Sequence, residues 1–397
     1  MNGDANADAV LTSSGGHVTV MLGTGLGVFF APVTYDMAGA EGATPADLDG
    51  NGRDDLVVPF NTSGPSGVGL SIWAPDPSGA IATPKLFSLV NLSGPTDVAI
   101  GDVNGDGHLD AVTVTNFGFP PFLSGDLEVL LGTPSGLFAA PVQANIAPHF
   151  RVCLADLTLD GKLDAITVLF TLTTLEVLTG NGAGILARDD GARSDASFGV
   201  GAGDLNADGL PDVFTSDGSG NTVTLYFGNG AGGFLGTTAL ATGGFPLEAN
   251  AGDLNGDGVL DLVSANNAAS GISVLLGLGA GRSPRRSPTS AARAPTACAS
   301  TTSTATETST WPSPRRRTSS SYSWETASGA FTGPSTYGFP SQSLVRAVTV
   351  CDVDGDGRRD IVAGTLATRP WASCEASAAG TSRLPISILP AAPSDLA

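Results

Sequence analysis

The chain has 397 residues, of which 54 are Gly and 26 Pro, with hydrophobic residues at 41% and aromatic residues at 6%; such a balance favours many short strands and turns over long helices. Its 38 acids against 18 bases leave a net charge of −20, which argues against nucleic acid or an anionic membrane as partner and in favour of cations. No apolar run approaches the roughly 18 residues that a membrane helix needs, and the start, MNGDANADAV, has neither a basic nor an apolar leader region, so membrane insertion is not expected and no export signal is read.

Taken in chain order, Asp-rich clusters open at Asp47 (DLDGNGRDD), Asp102 (DVNGDGHLD), Asp156 (DLTLDGKLD), Asp204 (DLNADGLPD), Asp253 (DLNGDGVLD) and Asp352 (DVDGDGRRD). Successive starts lie 55, 54, 48 and 49 residues apart and then 99, which is two periods with one motif missing. An alternating stretch such as TDVAIGD (Thr96 to Asp102) precedes each cluster and a β-branched run such as AVTVT (Ala111 to Thr115) follows it, so each loop joins two strands. A third strand, as in DLEVLLG or NTVTLYFG, ends in a glycine-rich turn before a fourth segment such as LFAAPV (Leu137 to Val142). Four short strands per period read as one blade. A blade cannot bury both its faces alone, so the expected fold is all-β, a β-propeller of about seven or eight four-stranded blades with calcium-binding loops.

The count of units is open between seven and eight. Asn2 to Asp8 (NGDANAD) reads as the tail of one more motif, and PSDLA (Pro393 to Ala397) matches the lead-in PTDVA (Pro95 to Ala99). Eight units then begin and end at nearly one phase, either as an eight-bladed ring closed by its termini or as a seven-bladed ring with extra sequence. Residues 1–281 carry regular repeats. Residues 282–328 are rich in Ser, Thr and Arg and hold seven of the 18 bases, which suits either a disordered linker or, as preferred here, a blade scrambled by a compensated frameshift, because the missing motif falls inside it. Residues 329–397 form the final repeat, out of pattern from about residue 369 to Leu384. Met1 stands where Val103 stands in its motif, which makes upstream sequence with an export signal an expectation.

Each cluster offers side-chain oxygens at its first, third, fifth and ninth positions and a backbone carbonyl at its seventh. The candidate metal ligands are Asp47, Asp49, Asn51, Arg53 and Asp55; Asp102, Asn104, Asp106, His108 and Asp110; Asp156, Thr158, Asp160, Lys162 and Asp164; Asp204, Asn206, Asp208, Leu210 and Asp212; Asp253, Asn255, Asp257, Val259 and Asp261; and Asp352, Asp354, Asp356, Arg358 and Asp360. A hard cation that takes six to eight oxygens matches this set, and calcium at about six sites is expected. The helical calcium hand is excluded, since its twelfth position would need Glu but holds Val58, Thr113, Thr167, Thr215, Ser264 and Ala363. A metal-free Asp/Asn/Gly turn explains one such loop as well; recurrence at six phased places favours metal. Calcium in six loops cancels twelve of the twenty net negative charges. The Asp156 loop is expected to be weakest, with Thr158 and Leu159 in place of an acid or amide and a small residue.

These loops, together with GNGAGGF (Gly228 to Phe234) and FAAPV (Phe138 to Val142), resemble the FG-GAP or VCBS repeats of the integrin α-chain propeller and of secreted bacterial proteins. The resemblance implies structural calcium, an extracellular or cell-surface location, and binding or adhesion toward a protein or polysaccharide as a monomer. The partner is expected on the face opposite the Asp loops, where NFGFPPFLSGD (Asn116 to Asp126) carries Phe117, Phe119 and Phe122. No catalytic constellation is read: His17, His108 and His149 show no partner pattern, and Gly228, Gly230 and Gly233 match a phosphate-loop spacing between two strands, where a hairpin turn is the better reading. A carbohydrate-active enzyme and a decayed fragment are the alternatives; Asp126 is the one obvious acid left over for the former.

Overall fold

A computed structural model of the chain describes residues 1–13, 16–40, 42–62, 67–81, 83–90, 94–116, 125–144, 149–169, 174–184, 186–188, 193–194, 197–269, 271–279, 298–299, 303–304, 331, 333–338, 344–366, 374–376 and 384–390. Every element among them is a strand. The strands form seven sheets. The third sheet shows the pattern: Gly94–Gly101 pairs with Asp110–Asn116, then Leu127–Leu130, then Val142–Ala144, all antiparallel. Val112, Val114, Leu127 and Val129 are fully buried there, as alternation along a sheet packed on both faces requires.

Seven hydrophobic clusters sit between consecutive sheets. Leu56, Val58 and Trp73 of the second sheet meet Val10, Val18 and Val20 of the first; Val263, Ile272 and Val274 of the sixth meet Val345, Val348 and Ile361 of the seventh. Ala9 and Met21 of the first sheet meet Cys351, Val353 and Val362 of the seventh. The circuit is therefore closed, each sheet burying its faces on two neighbours, which defines a β-propeller. Polar bonds stitch the inner strands: Thr44 Oγ1 donates to Val98 O at 2.9 Å, Thr96 Oγ1 to Phe150 O at 3.1 Å, and Val152 N to Asp97 Oδ2 at 3.0 Å.

The described residues form seven sheets where phase counting gives eight units. Within the sixth sheet, residue numbers rise by 60 from the end of Gly271–Leu275 to Ser335–Gly338, but by 12 from Met21 to Val33, Trp73 to Lys85 and Leu130 to Val142. The bridge Gly277 to Phe331 is the counterpart of Gly23 to Phe29 and Gly132 to Phe138. One repeat length is thus passed over, and it is the repeat whose Asp motif is missing: without an Asp loop and its flanking alternation, that stretch supplies no sheet of its own among the described residues. From it, Ser303–Thr304 pairs with Ala9–Ser13 as the inner strand of the first sheet, and Cys298–Ala299 adds to Ser197–Gly203. The remainder of 282–328, the loop Phe117 to Ser124 and the terminal Pro393 to Ala397 lie outside the described residues. In the seventh sheet Leu384–Pro390 runs parallel to Asp360–Leu366, with Cys374–Ala376 beyond it; this departure from the antiparallel order falls where the sequence leaves the repeat pattern.

Candidate metal loops

All six complete Asp clusters, and the partial one at the N-terminus, connect an inner strand to the second strand of a sheet or precede that second strand, so they gather at one end of the circuit. Their backbone is organised by their own carboxylates. In the Asp102 loop, Asp102 Oδ1 accepts Gly105 N at 2.7 Å and Asp106 N at 3.1 Å, while Oδ2 accepts Gly107 N at 2.8 Å. Asn104 Oδ1 accepts Asp106 N and Asp106 Oδ1 accepts His108 N, at 2.9 and 2.8 Å. The same ladder recurs from Asp253, where the fifth residue's N reaches Asp253 Oδ1 at 3.1 Å and the sixth reaches Oδ2 at 2.9 Å. Alternate side chains thus turn inward because the first caps amides three to five residues on and the third and fifth each cap the amide two residues on.

The ninth-position aspartates have a second task that spacing did not reveal. Asp212 is 0% exposed; its Oδ1 accepts Gly228 N from the third strand and its Oδ2 accepts Leu205 N from the loop. Asp110, Asp164 and Asp261 repeat both contacts, binding Gly132 and Val103, Gly180 and Leu157, and Gly277 and Leu254. These carboxylates pin the loop to the sheet. Burial pushes Asp212 up to about 7 and Asp55, Asp261 and Asp360 up to about 6. At the fifth position the direction reverses: the N–H of His108 and the amide of Asn104 hold Asp106 below the usual carboxylate range.

Asp352, Asp354 and Asp356 each present one oxygen within 4.8 Å of the others. In the other loops an amide or a threonine stands at one of those three places: Asn51, Asn104, Thr158, Asn206 and Asn255. The Asp156 loop departs further. Lys162, considered above for its carbonyl, places its ammonium 3.2 Å from Asp160 Oδ2, and Leu159 sits at φ 55°, the left-handed region in which Gly105, Gly256 and Gly355 lie at the same place in their loops. A side chain there costs about 1–2 kcal/mol, and a new Gly gives back about 0.5–1 in chain entropy. Leu159→Gly is therefore expected to stabilise the chain by about 0.5–1 kcal/mol in urea unfolding; a loss of stability would show that Leu159 is held by packing.

The N-terminal tail keeps the pattern in part. Asn2 Oδ1 accepts Asp4 N, Asp4 Oδ1 accepts Asn6 N, and Asp8 Oδ1 accepts Gly23 N at 2.8 Å. At the opposite half of the sheets His149, for which the sequence shows no partner pattern, has its Nε2 2.8 Å from Glu176 Oε2, both side chains being buried. His17 likewise meets Asp36 Oδ1 at 2.9 Å across a strand pair. Asp126 is not alone among leftover acids either, since Asp97, Glu128, Glu176 and Glu248 are buried nearby in sequence or in equivalent strands. For Glu128 and Glu176 the signal was the recurrence of LEVL at 127–130 and 175–178, each on the third strand of its sheet.

Strand order, closed circuit and loop position define a β-propeller built of repeats that each carry an Asp-rich loop. Residues 1–58 and 204–264 match the FG-GAP-like repeat, which bears out over those two stretches the resemblance read from the loops. No curated protein matches the chain. Among solved structures it is similar to BBS1N in complex with ARL6DN, soaked with lead, at 14% identity over 68% of this chain and 75% of that one, with a TM-score of 0.47. The periplasmic gluconolactonase PpgL of Pseudomonas aeruginosa is 17% identical over 66% of this chain and 74% of its own, with a TM-score of 0.47. The Dos1 propeller is 12% identical over 67% and 62%, with a TM-score of 0.41. At these scores the likenesses say nothing of activity or ligand.

Proposed function

We propose that the chain is a seven-bladed propeller held by calcium, which works outside the cell as a binding or adhesion scaffold for a protein or polysaccharide. The observation that carries the reading is the convergence of Asp352, Asp354 and Asp356, one oxygen each within 4.8 Å, on a loop whose hydrogen-bond ladder recurs round the ring. The donor set fits the ion: the ligand atoms are oxygens, from carboxylates, amides and the seventh-position carbonyl, as a hard cation takes. Asp352, Asp354, Asp356 and the carbonyl of Arg358 would hold it in the last loop, with the corresponding residues in the loops from Asp47, Asp102, Asp156, Asp204 and Asp253. Calcium there would screen carboxylates that otherwise repel one another and fix the connection of inner to second strand.

Extracellular calcium near millimolar concentration suits loops with dissociation constants of roughly 10⁻⁴–10⁻³ M, which supports a secreted or cell-surface setting. The Asp loops and the glycine turns lie at one end of the ring, which supports a reading in which a partner meets the other. The buried state of His149 and Glu176 gives no support to an enzymatic role for that pair. Titration calorimetry of the chelator-treated chain with calcium is expected to find about six sites, the weakest at the Asp156 loop, with the count falling by one in Asp354→Ala. No heat at millimolar calcium would overturn the reading.

A further inference from the structure

The Asp loop of one blade lies under the glycine turn of the next. Gly136, in the turn between the third and fourth strands of the third sheet, has φ 68°, and a Cβ there would stand 2.8 Å from Asp49 Cβ, 3.2 Å from Asp49 N and 3.3 Å from Asp49 Cα. Asp49 is the third residue of the second sheet's loop. The arrangement recurs across other joints. Gly27 of the first sheet's turn faces Asp354 Cβ at 3.5 Å, the third residue of the seventh sheet's loop. Gly232 of the fifth sheet donates its N–H to Leu157 O at 3.0 Å in the fourth sheet's loop, and a Cβ on Gly279 of the sixth would stand 4.0 Å from Asn206 O in the fifth sheet's loop.

We infer that the turn glycines are positioning residues for the metal loops of the preceding blade, so that each loop's shape, and with it its affinity for calcium, is set by a residue of a different blade. At Gly136 the turn requires glycine for two separate reasons: its φ is left-handed, and a Cβ there would press on the backbone of Asp49. A methyl group at residue 136 pushes on the backbone of Asp49 as well as its side chain, and backbone cannot rotate away. The third ligand then moves while the first, Asp47, stays bound to its own amides: Asn51 N to Oδ1 at 2.9 Å and Gly52 N to Oδ2 at 2.8 Å. A loop bent in this way loses one of its converging oxygens without losing any ligand residue. The contact also explains why the turn motif and the Asp motif share one period, and it makes calcium a fastener between blades as well as within them.

The inference about affinity rests on the calcium reading proposed above, and the test separates the two. The variant is Gly136→Ala in the full chain, and the control is Gly67→Ala, whose φ of 67° imposes the same backbone strain with nothing within 4 Å of the new Cβ. Both are titrated with calcium by calorimetry, and hydrogen exchange is followed at the amides of Asn51 and Gly52. Gly136→Ala is expected to weaken one site by about tenfold or more, a difference of about 1.4 kcal/mol, and to speed exchange in the loop, while Gly67→Ala does neither. Unchanged affinity at every site in Gly136→Ala would overturn the inference. If the parent chain takes up no calcium, the calcium reading fails, and exchange alone decides: faster exchange of Asn51 and Gly52 in Gly136→Ala than in Gly67→Ala upholds the positioning role, and equal exchange removes it.

Discussion

Asp212→Ala is expected to lower the stability of the chain by about 2–5 kcal/mol, and to keep most of that loss in chelator. The carboxylate is fully buried and accepts two backbone N–H groups, Gly228 N at 2.8 Å and Leu205 N at 2.9 Å. Alanine removes both acceptors from two buried donors, each of which costs about 1–3 kcal/mol when unpaired. Asp212→Asn keeps one acceptor oxygen and sets an amide N–H₂ against the other donor, so about half of the loss or more is expected to remain. Chemical unfolding of the three proteins in urea gives the comparison. A change below about 0.5 kcal/mol in Asp212→Ala would mean that the pin carries nothing, since surface substitutions of no consequence fall in that range.

Removal of calcium is expected to have the largest effect of all. At about 1 mM free calcium, a loop with a dissociation constant of roughly 10⁻⁴–10⁻³ M contributes about 0.4–1.4 kcal/mol to the folded state. Six such loops add about 2.5–8.5 kcal/mol if they act independently, and the melting temperature should fall in chelator by on the order of 5–15 °C. The strand signal in circular dichroism is expected to persist below the transition in both conditions, because the seven apolar clusters between sheets do not involve the metal. The shift should grow with the logarithm of calcium concentration, which distinguishes binding from a general salt effect. A melting temperature indifferent to chelator would reduce the loops to turns.

Most of the architecture was legible because the period of the Asp clusters, the alternation on either side of them and the glycine turns all point to the same four-stranded unit. The third sheet runs strand for strand as TDVAIGD, AVTVT and DLEVLLG suggest. The number of sheets was not legible. Counting phases gives eight units, whereas the described residues form seven sheets, and the stretch without an Asp motif lends short strands to two of them. Of the site, the first, third and fifth positions were visible because alternate oxygens on a tight loop mean one thing chemically. The ninth position looked like one more ligand, whereas Asp212 and its counterparts are also buried pins; the distinction depends on Gly228 and its equivalents, which come back to the loop only through strand pairing. Gly136 and Asp49 are 87 residues apart in sequence, and no local pattern joins them. His149 and Glu176 meet only when strands one and three of a blade are brought side by side across strand two.

The central claim is that the Asp loops hold calcium. Diffraction from crystals grown in millimolar calcium, with anomalous differences collected at long wavelength, tests it most directly. The account predicts a peak in each of the six complete loops, ligated by the first, third and fifth residues and the seventh carbonyl, weakest at the Asp156 loop. Loops without peaks at that concentration, with their ladders of hydrogen bonds intact, would contradict it.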